Sequence, residues 1–350
     1  MMNNPIAVFA GHFWQGASAS GIADGLLKQG WKVQQVNIGD YCRQKNPSIL
    51  SRINQRLFSK KMVAAYHRQI LNECEILKPD IFITVKGSEI TKELLIKIKK
   101  IGVKAVMYYP DYHFEHKDVN TSSFEFYDYF ITTKTFHNEY LRNFLEEKDI
   151  YYAPHGFSES VHSLVHNNSQ SFYFEQDVGY IGNHSKYKQD FLMQLVERNQ
   201  DINLRICGAN WHANIEGTLL EEKYDPTPRS GLSYSSFIQK SKINIALHFG
   251  EGPNGWADQV STRTFEIPAC GGFMLHVDND EVRDFYSVGD EIDVFTNPEQ
   301  LCERIGFYLE NEKTRIEMSM SAHRRANGAY SYSEIAGRIN DFIFKKPVER

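Results

Sequence analysis

Short apolar runs, mostly without alternation, recur along the first half of the chain and are separated by segments of helical character. Ile6–Ala10 is the first run. A glycine-punctuated loop from Gly11 to Gly16 follows, and Ser18 or Ser20 is placed to cap a helix running to Lys28. Gly30 stops that helix, and Val33–Asn37 reads as the next strand. A long basic stretch, Ser51–Lys78, ends at Pro79 and Asp80. Strands are then predicted at Ile81–Val85, Lys104–Tyr109, Tyr129–Thr133 and Ile150–Ala153, with a helix over Thr91–Lys100 closed by Gly102. Apolar runs without alternation, joined through helices, indicate a parallel sheet covered on both faces.

Pro154-His155-Gly156 and the polar stretch to Gln176, with Asn167, Asn168 and Ser169, read as a linker. The strand–helix rhythm then restarts. Strands are predicted at Val178–Ile181, Leu204–Cys207, Ile243–Leu247, Phe273–His276 and Asp293–Phe295. Helices are predicted at Lys188–Arg198, Tyr234–Lys240, Thr264–Cys270, Pro298–Glu310, Lys313–Asn327 and Ser333–Phe344. The predicted class is α/β, with two Rossmann-like doubly wound domains facing across a cleft. Their bounds are 1–155 and 156–332, with 333–350 a C-terminal helix able to pack back on either domain, the first among them. A chain of 350 residues suits two cores, since single cores rarely grow past roughly 250–300 residues.

Net charge is −5, which excludes a chain-wide basic bias towards nucleic acid. The five cysteines, Cys42, Cys74, Cys207, Cys270 and Cys302, are odd in number and form no CxxC pair. They read as reduced thiols of a cytoplasmic protein. The N-terminus lacks a charged-then-apolar signal pattern, and no apolar run approaches the roughly 20 residues that span a bilayer. Any membrane contact is therefore expected to be peripheral.

The most informative segment is Ser261-Thr262-Arg263-Thr264-Phe265-Glu266-Ile267-Pro268-Ala269-Cys270-Gly271-Gly272, which leads into a strand. Asp278–Asp280 and Gly289-Asp290-Glu291-Ile292 follow it. This run resembles the group 1 glycosyltransferases of GT-B fold, in particular their spore-maturation-like branch, from about Asp177 to Tyr332. Pro79–Lys86, Tyr108–His113 and Ala153–Gly156 resemble the same family's acceptor domain more loosely. The resemblance implies transfer of a sugar from a nucleoside-diphosphate sugar to a saccharide acceptor, in bacterial cell-surface polysaccharide or glycoconjugate synthesis. An epimerase of nucleotide sugars on the same fold, and a non-catalytic glycan- or nucleotide-binding protein, are the rival classes.

The residue types suit that task. A guanidinium fork matches paired phosphate oxygens, so Arg263 is expected on the diphosphate. A carboxylate accepts from both hydroxyls of a ribose, the role the resemblance implies for Glu266. Arg263 and Glu266 stand three apart, on one face of a helix beginning near Ser261, with Thr262 in its first turn. Asp258, eight positions before Glu266, stands where the family has its other acid, near the sugar or the reacting face. A helix cap for Glu266 and a surface ion pair for Arg263 are the plain alternatives.

Other residues are placed by the same resemblance. Gly182 and Asn183 form the glycine turn that faces the diphosphate, with Lys186 or Lys188 as its cation. Asn210 and Trp211 lie where the base-binding loop would be; Trp211 stacks on a base or anchors the loop. Gly250–Trp256 is a loop able to close over the sugar. On the acceptor side stand Gly11, His12 and His155, with Asp111, His113 or His12 as candidate bases. No metal is expected, since the chain has no HExxH and no DxD after a strand of the metal-dependent kind. No cofactor is expected beyond the nucleotide-sugar substrate. Arg52, Arg56, Lys60 and Lys61 alternate with apolar positions at near-helical intervals. They suit either a peripheral contact with anionic lipid, as the resemblance implies, or an ordinary solvated helix face.

Overall fold

The computed structural model describes residues 4–41, 49–164, 173–248, 250 and 255–344, with 49–58 described by their backbone alone. Cys42, the tripeptide 167–169 and residues 251–254 of the glycine-rich loop lie outside the described residues, as do the side chains of Arg52 and Arg56. The chain divides into two compact units. The first comprises Met1–Pro154 with Tyr332–Arg350, and the second His155–Ser331.

Unit 1 contains strands β1 (Ile6–Gly11), β2 (Lys32–Asn37), β3 (Ile81–Val85), β4 (Lys104–Tyr109), β5 (Tyr129–Thr132) and β6 (Ile150–Tyr152). They form one parallel sheet in the order β2-β1-β3-β4-β5-β6. Its helices are α1 (Ser18–Lys28), α2 (Ile49–Leu77), α3 (Lys92–Lys100) and α4 (His137–Leu141). Ala7, Val8, Phe9 and Ala10 of β1 are all fully buried, as expected of a central strand covered on both faces. Gly30 and Gly102 take φ of 86° and 87° just after α1 and α3, so both glycines end helices as predicted.

The capping of α1 differs from expectation. Its N-cap is Ala17, with no side-chain cap. Ser20 Oγ instead donates to Trp14 O at 2.9 Å, and Ser18 Oγ accepts from Tyr332 OH at 3.0 Å. That second bond ties α1 to the C-terminal helix, α12 (Tyr332–Phe344). Tyr332, Ile335, Ala336, Ile339 and Ile343 of α12 join the unit 1 core with Ile22 and Leu26 of α1. A Cβ at Gly21 would overlap the Tyr332 ring, so the glycine is what permits this close approach.

Unit 2 contains β7 (Gln176–Ile181), β8 (Leu204–Cys207), β9 (Tyr224–Asp225), β10 (Ser241–Ala246), β11 (Met274–Val277) and β12 (Asp293–Phe295). The order is β12-β11-β10-β7-β8-β9, again all parallel. Its helices are α5 (Lys186–Arg198), α6 (His212–Ile215), α7 (Leu232–Gln239), α8 (Thr262–Ala269), α9 (Asp280–Phe285), α10 (Pro298–Glu310) and α11 (Glu312–Ala329). The two-residue β9 is too short to leave a periodic signature in the sequence. Separate apolar clusters form around Leu195, Ile206 and Leu275, and around Phe265, Ile267 and Met274.

The stretch read as a linker is part of this unit over residues 155–164. Phe157 and Val161 are buried, and Ser235 Oγ donates to Val161 O at 2.5 Å. Two apolar side chains and a strand-like bridge from Phe157 to Ser331 outweigh the polar composition around them. Cys74, Cys207 and Cys270 are buried free thiols.

Candidate functional site

The C-terminal ends of β7, β8 and β10 and the start of α8 bring most of the chemistry of unit 2 together. Gly182 follows β7 directly. A Cβ there would lie 2.7 Å from Arg263 Nη1 and 2.7 Å from Tyr180 OH, so the absence of a side chain makes room for the guanidinium. Arg263 Nη2 donates to Leu247 O at 2.8 Å, and its Cζ lies 5.8 Å from the centre of the Tyr180 ring. Its Nε and the Tyr180 hydroxyl are buried without a hydrogen-bond partner among the described residues. No carboxylate pairs with Arg263 among the described residues. The turn thus holds a positioned guanidinium with donor capacity left over.

Lys188 adds a second cation. It lies in the first turn of α5 and is 1% exposed, with Nζ donating to Asn183 O at 3.0 Å. Burial, then the repulsion of Arg263, pull its pKa down to about 7, while Asp258 opposes the shift. Asp258 therefore stands within electrostatic reach of this lysine. Of the two lysines offered as the diphosphate cation, Lys186 does not fit: its Nζ is ion-paired with Asp190 on the exposed side of α5. The helix turns Lys188 inward and Lys186 outward, which spacing two residues apart on a helix requires.

Asn183 braces the neighbouring loop, its Oδ1 accepting from Ala209 N at 3.2 Å. Gly208 there takes φ of 138°, and a Cβ on it would overlap Gly182 O. Asn210 follows at φ 65° and is exposed. Trp211 is fully buried, with its indole N–H donating to Gly182 O at 2.8 Å and its ring against Tyr180 and His184. It is therefore the loop anchor, and the alternative of a base-stacking platform is corrected: the ring faces are covered by protein.

Ser261 is the N-cap of α8, and its N–H donates to Thr264 Oγ1 at 3.2 Å. Thr262 opens the helix, so Arg263 sits in its first turn and Glu266 one turn on. Behind them, Thr264 Oγ1 and His248 Nε2 both lie within hydrogen-bond distance of His276 Nε2, at 3.0 and 2.8 Å. His276 Nδ1 is 2.6 Å from Val277 O, and burial draws its pKa down to about 4, so it is neutral at pH 7. A neutral ring donating to the carbonyl presents the single lone pair of Nε2 towards both neighbours. This buried relay, invisible to motif reading, fixes the first turn of α8.

Glu266 differs from the open carboxylate expected. It is 7% exposed, its Oε2 accepts from Tyr234 OH at 2.6 Å, and His162 Nε2 lies 3.7 Å from Oε1. Burial pulls the His162 pKa down, against the attraction of Glu266. Tyr234 and His162 were not singled out by sequence, because neither belongs to the motif and one comes from the stretch read as a linker.

In unit 1, Lys86, Asp111 and His116 form a cluster at the ends of β3 and β4. Lys86 Nζ and His116 Nε2 lie 2.7 and 3.0 Å from Asp111 Oδ2. Burial disfavours the Asp111 charge, yet His116 and Lys86 prevail and hold its carboxyl at about 2. So stable an anion is a poor proton acceptor at neutral pH. His113 Nδ1 accepts from Glu115 N at 3.1 Å, which leaves the proton on Nε2 in the neutral ring. Burial, then His116, lower its pKa. Neither Asp111 nor His113 has the free basic lone pair that role requires. Gly11 ends β1, with His12 partly exposed in the loop after it. His155 is 4% exposed and belongs to unit 2, whereas Gly11 and His12, with which it was grouped, belong to unit 1. Lys60 and Lys61 are exposed on α2, while Tyr66, Ile70 and Cys74 of that helix are buried. Among the described residues, no helix is long and apolar enough to cross a membrane.

Residues 186–341 match the family model described as glycosyl transferase-like. That span contains Lys188, Asp258, Arg263 and Glu266. The fold is similar to a glycosyltransferase from Rickettsia africae (10% identity, TM-score 0.65, covering 98% of this chain and 100% of that one). It is also similar to HepE of Anabaena in complex with UDP and glucose (12%, 0.64, 97% and 99%) and to sucrose-phosphate synthase from Thermosynechococcus elongatus (12%, 0.64, 97% and 98%). No curated protein matches the sequence significantly. The chain has a two-unit α/β fold like that of these GT-B glycosyltransferases. The family match stays within residues 186–341, less than half of the chain, and the matches do not extend to the spore-maturation-like branch.

Proposed function

We propose that the chain transfers a sugar from a nucleoside-diphosphate sugar, held by unit 2, to a saccharide acceptor held by unit 1. The observation that carries this reading is the Arg263–Gly182–Lys188 arrangement. Two cations and unspent donors converge on a glycine turn at the C-terminal edge of a parallel sheet, where such sheets bind ligands. Arg263 and Lys188 take the diphosphate, and the dipole at the start of α8 adds to them. These groups supply the positive charge that a metal ion supplies in other transferases, so activity is expected to survive chelation by EDTA. Glu266 takes the ribose through the lone pairs not used by Tyr234.

In the transfer, the bond from the sugar C1 to the diphosphate oxygen breaks and the acceptor oxygen bonds to C1. With Asp111 and His113 engaged as described, the departing diphosphate takes the acceptor hydroxyl's proton. A role in bacterial surface polysaccharide or glycoconjugate synthesis follows from the motif resemblance. Cytoplasmic residence follows from the unpaired cysteines, with Lys60 and Lys61 able to contact an anionic inner membrane.

Thermal-shift and calorimetric titration with UDP, GDP, TDP and CMP sugars tests the reading. One nucleotide class is expected to bind, and Glu266→Ala to abolish its shift; an unchanged shift removes the ribose assignment. Incubation with donor alone separates transfer from epimerisation, because an epimerase converts the donor without an acceptor.

A further inference from the structure

In unit 1 the loops after β1, β3, β4 and β5 are neighbours, because those strands are consecutive in the sheet. Their residues include Trp14, which is 49% exposed, whereas Trp31 and Trp211 are 3% and 0% exposed. The Trp14 backbone is fixed. Its carbonyl accepts from Ala17 N and Ser20 Oγ, both at 2.9 Å, and Gly16 closes the turn at φ 90°. Two partly exposed rings, Tyr112 and Phe136, pack edge to face at the ends of β4 and β5, 5.9 Å apart.

The charges of these loops are of both signs, with Glu89, Asp111, Glu115 and Asp118 beside Lys86, Lys117 and Lys134. Lys86 is paired with Asp111, and both are about one-third exposed, so they remain accessible to a solute. Lys86 holds a left-handed φ of 66°, a conformation costing a non-glycine residue on the order of 1–3 kcal/mol. It is retained where the side chain meets Asp111. Burial, then His116, lower the pKa of the neighbouring His113. Unit 2 brings two cations, Arg263 and Lys188, to one glycine turn, an arrangement that suits an anion, whereas at this rim Lys86 meets the carboxylate of Asp111. The rim pairs aromatic faces with a fixed donor and acceptor, the combination that fits a polyhydroxylated ring: polarised C–H groups lie on a π face, and hydroxyls bridge the ion pair.

We propose that this rim binds a neutral pyranose, with Trp14 as the stacking platform and the Lys86–Asp111 pair as the hydroxyl clamp. The proposal rests on the transferase reading and makes the acceptor a neutral saccharide. It also gives Asp111 a binding role in place of proton abstraction.

The test is saturation-transfer NMR on the full chain with maltose, cellobiose and lactose as probes and inorganic phosphate as competitor. At least one disaccharide is expected to bind with a Kd of about 1–10 mM. Trp14→Ala and Lys86→Met are each expected to weaken it by about tenfold, and Trp14→Phe to restore part of the loss. Retention of wild-type binding by Trp14→Ala overturns the proposal. So does competition by phosphate, or no binding up to about 50 mM disaccharide. UDP titration of the same samples separates the two readings: absent UDP binding with disaccharide binding intact sinks the transferase assignment and leaves this rim standing.

Discussion

Replacing Gly182 by alanine isolates the contact on which the proposed donor recognition rests. Gly182 does not use the left-handed region, so alanine fits its backbone and the effect is purely steric. The new Cβ would lie 2.7 Å from Arg263 Nη1, where ordinary contact is about 3.5 Å, so the guanidinium must retreat by roughly 0.8 Å. A shift of that size takes the Nη2 bond to Leu247 O from 2.8 Å to the edge of hydrogen-bonding range. Overpacking of this kind costs about 1–2 kcal/mol of stability, and each kcal/mol lowers the melting point of a unit this size by about 2–4 °C. A misplaced fork also forfeits part of its charge-assisted bonding to phosphate. That loss of about 1.4–2.8 kcal/mol corresponds to 10- to 100-fold weaker UDP binding. Calorimetric titration of UDP reads the affinity, and differential scanning calorimetry the stability. Adding Tyr180→Phe removes the second clash and is expected to restore part of the affinity, because the hydroxyl 2.7 Å from the new Cβ is gone. Gly306→Ala, in an open position on α10, is the control and is expected to stabilise by about 0.5–1 kcal/mol with no change in UDP binding. Wild-type UDP affinity in a folded Gly182→Ala protein would refute the placement of Arg263 at the diphosphate.

Two further predictions concern proton linkage and packing. The Lys188 pKa is depressed, so between about pH 7 and its unfolded value near 10.4 the unfolded chain binds more protons than the folded one, and this residue's contribution to stability rises with pH. A diphosphate favours the charged form, so UDP binding above pH 7 is expected to take up a proton and to weaken as pH rises. Calorimetry in buffers of different ionisation enthalpy measures the uptake, and its persistence in Lys188→Met would remove the assignment. Gly21→Ala forces a methyl group into the Tyr332 ring and is expected to destabilise unit 1 by at least about 1–3 kcal/mol. Limited proteolysis should then release α12 earlier, with the UDP affinity of unit 2 unchanged; unaltered protection would contradict the α1–α12 packing.

The arrangement of strands and helices was legible because it depends on composition over short windows. Runs such as Ile81–Val85 and Ile243–Leu247 are apolar on both faces, and Gly30 and Gly102 stop helices for local steric reasons. The segment around Arg263 and Glu266 was legible as a helix start, since caps and first-turn residues act on their immediate neighbours. Accessibility was not. Trp211 and Glu266 have the same chemical appearance in sequence whether they face ligand or core, and each is covered by residues far away in the chain, Gly182 and Tyr180 for one and Tyr234 and His162 for the other. Lys186 and Lys188 are nearly interchangeable in a motif, yet the turn of one helix sends the first to Asp190 and buries the second beside Arg263. Asp111 looked like a base until Lys86, from the neighbouring loop, and His116, from its own, held its charge in place. Local propensity thus determined which elements form. Burial and electrostatic partnership, which depend on distance in space, decided what each charged side chain is able to do.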